Sequence, residues 1–249
     1  MAEGATARAG RRTTCRAIVG RRTDFHETSR IVVLYTREHG RIPALAKGAH
    51  RLNSPFLGAL DLFNECTVTL SPDRGGLRLL ERASSPRERR VLREPVRYLA
   101  ASHWSDLCDA AWTGPDARLF DLLSGGLLLL ERCPREAIRL VVVGLETRYL
   151  RMLGAMPDVG TCARCGSPLS GGGFLGADGA LACRRHAGSP RTAVRGEALA
   201  LLSDLERLPA REWPSLGGKA ASSCASLLGR WLALSLERRP RIRPAIHAV

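Results

Sequence analysis

The sequence RIVVLYT, at residues 30–36, is a run of β-branched and aromatic side chains that predicts a β-strand. Short segments of similar character lie on both sides of it, separated by turn-forming stretches such as SPDRGG at residues 71–76. They predict further strands at residues 14–19, 41–46, 57–62, 66–70 and 77–80. Short strands of this kind are typical of a small closed or partly closed barrel, and an OB-type five-stranded barrel fits their number and size.

The hydrophobic period changes from two to 3.6 residues after Pro95. Apolar side chains then recur at every third or fourth position up to residue 111, which predicts an amphipathic helix. Further helices are predicted at residues 115–131, 134–153, 197–208 and 219–236. The first of these is weakened by the Gly125-Gly126 pair, and the second has an apolar centre that we expect to be buried. The predicted inner stripe of the last helix is Cys224, Leu227, Leu228, Trp231 and Leu232.

Residues 162–186 read CARCGSPLSGGGFLGADGALACRRH, with the spacing C-x2-C, 17 residues, C-x2-H. Two residues between ligands let a tight turn direct both side chains at one tetrahedral ion. The glycine-rich hairpin between the two pairs is too polar to fold alone, and metal binding would stabilise it. We therefore predict a closed, structural zinc site, the alternative being a coincidental cysteine pair; its ligands are Cys162, Cys165, Cys183 and His186.

These features predict an α+β fold, in which an N-terminal OB-fold β-barrel precedes an α-helical domain with an inserted zinc-binding element. The predicted divisions are a flexible tail at residues 1–13 and the barrel at 14–81. The helical domain occupies residues 82–160 and 190–249, with the zinc element at 161–189.

The remaining cysteines are scattered and mostly flanked by apolar residues, so we expect small buried hydrophobes rather than a disulfide framework. They are Cys15, Cys66, Cys108, Cys133 and Cys224. The chain shows no secretory signal and no apolar run long enough to span a bilayer. We expect a cytosolic protein with no membrane partner.

The net charge is strongly positive, since 38 Lys and Arg residues face 24 Asp and Glu residues, giving a formal +14. Such an excess favours polyanionic partners such as nucleic acid. The excess lies in residues 1–80 and 151–249, whereas residues 81–150 are nearly neutral. Two separate positive surfaces are therefore expected.

Signatures of common enzyme classes are absent from the sequence. The segment Gly217-Gly218-Lys219-Ala220 lacks the features of a phosphate-binding loop, and neither a G-x-S-x-G elbow nor the H-x-E of zinc deaminases occurs. These absences favour a binding protein over an enzyme. Histidines other than the predicted ligand are expected at surface or packing positions; they are His26, His39, His50, His103 and His247.

Three stretches resemble the RecO family of DNA repair and recombination mediators. The first, TDFHETSRIVVLYTREHGRIPALAKGAHR at residues 23–51, contains the acidic–aromatic pair, the E-x-S, the T-x-x-x-G turn and the A-K-G-A of the family signature. The others are LETRYLRMLGAMPDVGTCARCG at residues 145–166 and the RRPRIRP that follows the last helix. This sequence departs from the family at His186, where cysteine is usual, and at His50, where arginine is usual.

The resemblance implies an OB-fold followed by a helical domain with a zinc element. It also implies binding of single- and double-stranded DNA and annealing of complementary strands without ATP. The implied partners are RecR, the acidic C-terminal tail of single-strand-binding protein (SSB) and, indirectly, the recombinase RecA. The implied location is the cytoplasm, in association with the nucleoid.

An OB barrel binds a strand through a positive groove and stacking aromatics. The candidate phosphate contacts are Arg21, Arg22, Arg37, Arg41, Lys47 and Arg51. Phe25 and Tyr35 are candidates for base stacking, although Tyr35 ends an apolar strand and fits a core position better. Arg184, Arg185 and the C-terminal arginines form an alternative DNA surface.

Two other kinds of protein share some of these features. A zinc-containing RNA-binding or transcription-associated protein would have the same charge, barrel and metal. A zinc-dependent enzyme would require an open coordination position, which a complete Cys3His ligand set does not offer.

Overall fold

The computed structural model describes residues 11–56, 58–189, 191–236 and 243. Its first five strands are β1 (Thr13–Phe25), β2 (Ser29–Thr36), β3 (Gly40–Ala46), β4 (Glu65–Leu70) and β5 (Arg78–Arg87). They form a closed barrel in the order β1-β2-β3-β5-β4, in which only β3 and β5 pair in parallel. The predicted OB-like barrel is confirmed.

Alternate residues of each strand fill the barrel interior, as the two-residue period of a strand requires. The inward-facing set includes Cys15, Ala17, Val19, Val32, Leu34, Ile42, Ala44, Ala46, Cys66, Val68, Leu70 and Leu80. Tyr35 is also fully buried, and its ring stacks on that of Trp112 with a centroid separation of 4.8 Å. Gly20 makes room for this ring, because a Cβ at residue 20 would lie 1.9 Å from Tyr35 Cε2. Tyr35 is therefore a core residue and is not available to stack a base.

The strand predicted at residues 57–62 is wrong, since residues 58–62 form turns. The apolar pattern there has another cause: Phe56 and Leu60 reach into the barrel core from a loop. Gly58 and Phe63 have φ angles of +72° and +68°, which an extended strand does not allow. The side-chain amide of Asn64 donates to the carbonyl oxygen of Gly58 at 2.8 Å and holds the loop closed.

Among the described residues, five α-helices follow: α1 (Pro95–Ala111), α2 (Ala117–Arg132), α3 (Ile138–Met152), α4 (Gly196–Arg207) and α5 (Ala221–Ser235). All five were predicted, with ends within a few residues of those observed, and a 3-10 turn over Arg135–Ala137 forms the start of the third. The predicted burial of α3 and the inner stripe of α5 are confirmed. Within the described residues, no helix has both the length and the apolar character of a membrane span.

Three short strands lie between α3 and α4: β6 (Gly172–Leu175), β7 (Leu181–Ala182) and β8 (Thr192–Arg195). They form an antiparallel sheet in the order β7-β6-β8. The described residues divide into two compact units, the first within residues 11–91 and 111–125, and the second within residues 92–110 and from 126 onward. The three-stranded sheet belongs to the second unit.

The second unit contains a buried ionic network that the sequence analysis did not identify. The carboxylate of Glu146 is fully buried, lies 2.8 Å from His103 Nε2 and accepts hydrogen bonds from Arg243 Nε at 2.6 Å and Nη2 at 2.9 Å. His103 is therefore a packing residue with an ionic partner. Residues 1–10 of the predicted tail, His247 and the C-terminal arginines other than Arg243 lie outside the described residues.

Candidate metal centre and nucleic-acid interface

Two tight turns position the predicted metal ligands. In the first, the Gly166 N–H donates to the Cys162 carbonyl oxygen at 2.8 Å, and Gly166 adopts a φ of +69° that favours glycine. In the second, the His186 N–H donates to the Cys183 carbonyl oxygen at 3.0 Å. Each turn therefore directs two ligand side chains to the same side.

The four ligand atoms have the spacing that a tetrahedral ion requires. All of them lie within 4.8 Å of one another. The Cys165 and Cys183 sulfurs are 3.9 Å apart, and His186 Nδ1 lies 3.4 Å from the Cys183 sulfur and 4.0 Å from the Cys162 sulfur. Tetrahedral zinc with its usual bond lengths places sulfur and nitrogen ligands about 3.6–3.8 Å apart. The Cys3His cluster can therefore hold a metal ion.

The pKa of Cys162 is lowered from the ordinary thiol value of 9.0 to about 6. The largest cause is the hydrogen bond that the Cys183 backbone N–H donates to the sulfur, and the backbone N–H groups of Arg164 and Cys165 add to it. At neutral pH this side chain is a thiolate, which is the form that binds a metal. In contrast, burial raises the pKa of the core thiols Cys66 and Cys224 to about 12.

The hairpin between the two turns is fixed to α5. Gly179, at its tip, has a φ of +82°, and its carbonyl oxygen accepts a hydrogen bond from Trp231 Nε1 at 2.9 Å. A Cβ at residue 179 would lie 2.7 Å from Leu234 Cδ1, so glycine is required both by the conformation and by the close approach. The segment with the Cys3His cluster, residues 161–189 and called the metal element below, thus has an anchor in the helical core.

The six candidate phosphate contacts on the barrel are all exposed, but they do not form one cluster. Arg37 and Arg41 lie at the end of the β2–β3 ladder where Thr36 pairs with Gly40, whereas Lys47 and Arg51 follow its other end. At about 3.3 Å per residue, the ladder between them is about 20 Å long. The remaining two candidates, Arg21 and Arg22, lie on β1 opposite the middle of β2.

Two of these arginines already have acidic partners. Arg22 Nη1 lies 2.6 Å from an Asp61 carboxylate oxygen, and Arg37 Nη2 lies 2.9 Å from one of Asp121. A phosphate must compete with these carboxylates. Among the described residues, neither Lys47 nor Arg51 has an ion-pair partner, so their charges are available to a ligand.

The loop with Lys47 and Arg51 is attached to the β1–β2 turn. The His50 N–H donates to the Thr28 carbonyl oxygen at 3.1 Å, and His50 Nε2 lies 3.0 Å from an Asp24 carboxylate oxygen. The neighbouring residue Phe25 is 38% exposed, and its ring packs edge-on against that of His26 with a centroid separation of 4.2 Å. This end of the barrel therefore combines an exposed aromatic with unpaired cations.

The hydrogen bond from Arg30 is the main cause of a lowered pKa at Asp24, and the proximity of His50 adds to it. The Asp24 carboxylate is therefore ionised at neutral pH and is occupied by these two partners. His50, which stands where the family signature has arginine, thus has a structural role in joining the loop to the turn.

Two family patterns match the chain. The pattern described as Recombination protein O N terminal matches residues 11–87, which include the barrel. The pattern described as Recombination protein O C terminal matches residues 92–244, which include the five helices and the metal element. Together they account for most of the sequence.

Individual relatives carry the same description. The chain is 35% identical over 156 residues to a DNA repair protein RecO of Rhodopirellula baltica, an alignment that spans 60% of this chain and only 56% of that protein. It is 30% identical over 227 residues to the protein of that name in Myxococcus xanthus, covering 90% of this chain and 92% of the relative. For the Rubrobacter xylanophilus protein, the identity is 31% over 244 residues, covering 94% and 91%. The chain belongs to the RecO family of DNA repair proteins.

Proposed function

We propose that this protein is a recombination and repair mediator that binds single- and double-stranded DNA, anneals complementary strands without ATP and, together with RecR, assists RecA in loading onto SSB-coated strands. Its proposed location is the cytoplasm, in association with the nucleoid. The observation that carries the proposal is the closed OB-like barrel with exposed cations and an exposed phenylalanine. Membership of a DNA repair family supports DNA as the polyanion.

Annealing by such a surface requires no chemical step. Arg21, Arg22, Arg37, Arg41, Lys47 and Arg51 are the proposed phosphate contacts. Neutralised phosphates release counterions, and two strands held on cationic surfaces of one protein repel each other less and meet at a high local concentration. The affinity is therefore expected to fall with salt, with a slope of about −0.7 per phosphate neutralised on a single strand.

The proposed role of the metal ion is structural. Cys162, Cys165, Cys183 and His186 would hold Zn²⁺ with all four positions filled by protein atoms. An ion bound there supplies cross-links between the two tight turns. The sheet β6–β8, whose strands have only two to four residues each, would gain stability from them.

The acidic tail of SSB requires an apolar slot with cations around it, and the second unit offers one. A cleft of about 960 Å³ lies between the β6–β8 sheet and α5. Its walls include the apolar residues Leu175, Val194 and Leu227 and the arginines Arg195 and Arg230. Arg243 also lines the cleft, but its guanidinium is paired with Glu146. We propose that the SSB tail binds in this cleft, with the apolar end of the tail against the apolar residues of the cleft.

Complementary strands coated with SSB, mixed with the protein in the absence of any nucleotide, test the proposal. We expect duplex to form faster than without the protein, and the acceleration to weaken as the salt concentration rises. A requirement for ATP, or no change in the rate, would refute the annealing function. Stronger binding of RNA than of single-stranded DNA in a competition assay would favour an RNA-binding protein instead.

A further inference from the structure

Outside the barrel, a positive surface lies on the metal element itself. Arg164 separates the first two ligands, and Arg184 and Arg185 separate the last two. Arg191 follows shortly afterwards, and all four arginines are exposed. In the sequence from residue 161 to 191 the only carboxylate is that of Asp178.

None of these four arginines has a carboxylate partner within the described parts of the chain. Two other arginines of the second unit do have such partners, because Arg151 pairs with Glu206 and Arg207 pairs with Asp204. Unpaired like charges on one small element repel each other and destabilise it. Their presence therefore suggests an anionic ligand rather than a contribution to the fold.

A depression of about 320 Å³ lies beside the two turns and is bordered by Arg164, Arg191 and His186. Most of its other lining residues are alanine or glycine, which leave backbone and ring surfaces accessible. The one acidic lining residue, Asp178, is engaged in a turn, since its carboxylate accepts the Ala180 N–H at 3.1 Å.

The half-buried ring of Phe174 also lines this depression, and the Arg191 guanidinium carbon lies 4.9 Å from its centroid. An aromatic ring beside a planar guanidinium is a surface on which nucleobases stack. Cations for phosphates and a platform for a base thus occur together within one small element.

We propose that the metal element carries a second binding site for single-stranded DNA, separate from the barrel. Arg164, Arg184 and Arg185 contact phosphates, and a base stacks at Phe174 and Arg191. The choice of DNA as the ligand rests on the proposed function. A chain with two such sites holds two strands at once, so that pairing between them becomes an intramolecular event with a high effective concentration.

The triple variant Arg164→Gln/Arg184→Gln/Arg185→Gln, called the knuckle variant because its substitutions lie in the two tight turns (knuckles) of the metal element, tests this site in the whole metal-loaded protein. The matched control Arg207→Gln/Arg211→Gln/Lys219→Gln removes the same charge from exposed positions of the second unit. Metal content is measured first, since neither variant changes a ligand and both should retain the ion.

The readout is the binding of a short fluorescent oligo-dT as a function of salt. The knuckle variant is expected to bind about one oligonucleotide where the unchanged protein binds about two. With a longer strand that spans both sites, it is expected to lose about two units of the salt slope, at about 0.7 per phosphate. Phe174→Leu, which keeps an apolar side chain there, is expected to weaken the second site at least about fivefold.

The inference is overturned if the knuckle variant keeps its stoichiometry and salt slope, or if the control loses as much. Either result would leave the proposed DNA binding by the barrel unaffected. A substituted barrel, Arg37→Gln/Arg41→Gln/Lys47→Gln, distinguishes the two proposals. If it abolishes all binding, the metal element holds no strand of its own, whereas retention of about one oligonucleotide supports the second site. No binding to the unchanged protein would overturn both proposals.

Discussion

Adjacent glycines in α2 have opposite environments, and replacing each with alanine should have opposite effects on stability. Gly125 is exposed, and a Cβ added there would meet no atom within 4 Å. Gly126 is buried, and a Cβ there would lie 2.2 Å from Trp104 Nε1 and 2.6 Å from Trp104 Cε2. The Trp104 indole is 1% exposed and packs edge-on against Tyr149, so it has no free space into which to move.

The magnitude follows from two competing effects. Alanine gains about 1 kcal/mol over glycine in a helix interior, and at Gly125 this gain is unopposed. At Gly126 the added methyl forces apart a rigid, close-packed contact, which typically costs about 1–3 kcal/mol and, at 2.2 Å, should fall at the upper end. We therefore expect Gly125→Ala to stabilise by about 0.5–1 kcal/mol and Gly126→Ala to destabilise by about 1–2 kcal/mol.

Thermal and urea unfolding of the two variants, followed by circular dichroism and tryptophan fluorescence, provide the measurement. A difference of about 1.5–3 kcal/mol corresponds to a separation of about 3–12 °C between their unfolding midpoints in a chain of this size. The variants have identical composition, so helix propensity cancels in the comparison. Equal stabilisation by both substitutions would show that the Trp104 contact does not constrain α2.

Three further predictions concern the ionic groups. Glu146→Ala should cost about 3–5 kcal/mol because it leaves the largely buried guanidinium of Arg243 without its carboxylate, whereas Asp204→Ala breaks an exposed pair and should cost less than about 1 kcal/mol; equal midpoints in urea would contradict this. Metal uptake at pH 7.5 should release about one proton fewer than the three that three protonated thiols would release. The reason is that Cys162, with a pKa of about 6, has already lost its proton. Calorimetry in buffers of different ionisation enthalpy counts these protons, and release of all three would exclude the thiolate. The same lowered pKa stabilises the folded, metal-free protein relative to the unfolded chain. This stabilisation is complete above pH 9 and is lost as the pH falls through 6. Finally, Lys47→Gln should weaken binding of single-stranded DNA more than Arg37→Gln, which removes a cation already paired with a carboxylate; the reverse order in fluorescence anisotropy would place the DNA at the other end of the barrel.

The barrel could be predicted because its signal is local. A strand with one buried face alternates in burial along its own sequence, as residues 66–70 do, and the turns between strands carry their own residue types. Residues 57–62 show the limit of this reasoning. A loop that inserts apolar side chains into a core has the composition of a strand, and only the positive φ angles at Gly58 and Phe63 distinguish the two.

The Cys3His cluster was predictable for the same reason, since its members form two pairs, each separated by two residues, and short turns bring the four side chains together. The Glu146 network was not, because Glu146 is 43 residues from His103 and 97 from Arg243. In the sequence, the only signs of this network are a histidine in the apolar stripe of α1 and a glutamate in the buried α3. Each has an alternative explanation by itself, and only the packing of the helices brings them together.

The formal charge of +14 overstates the protein's capacity to bind DNA, because some of the cations are already paired with carboxylates and others are not. At Arg22 and Arg37 a phosphate replaces a carboxylate 2.6–2.9 Å away, so the net gain is the difference between two similar interactions. At Lys47 and Arg51 a phosphate replaces only water and mobile ions. The binding free energy should therefore come mainly from unpaired cations. Among the described residues, such cations include Lys47 and Arg51 in the loop after β3 and Arg164, Arg184 and Arg185 on the metal element, the two surfaces that we propose each hold one strand.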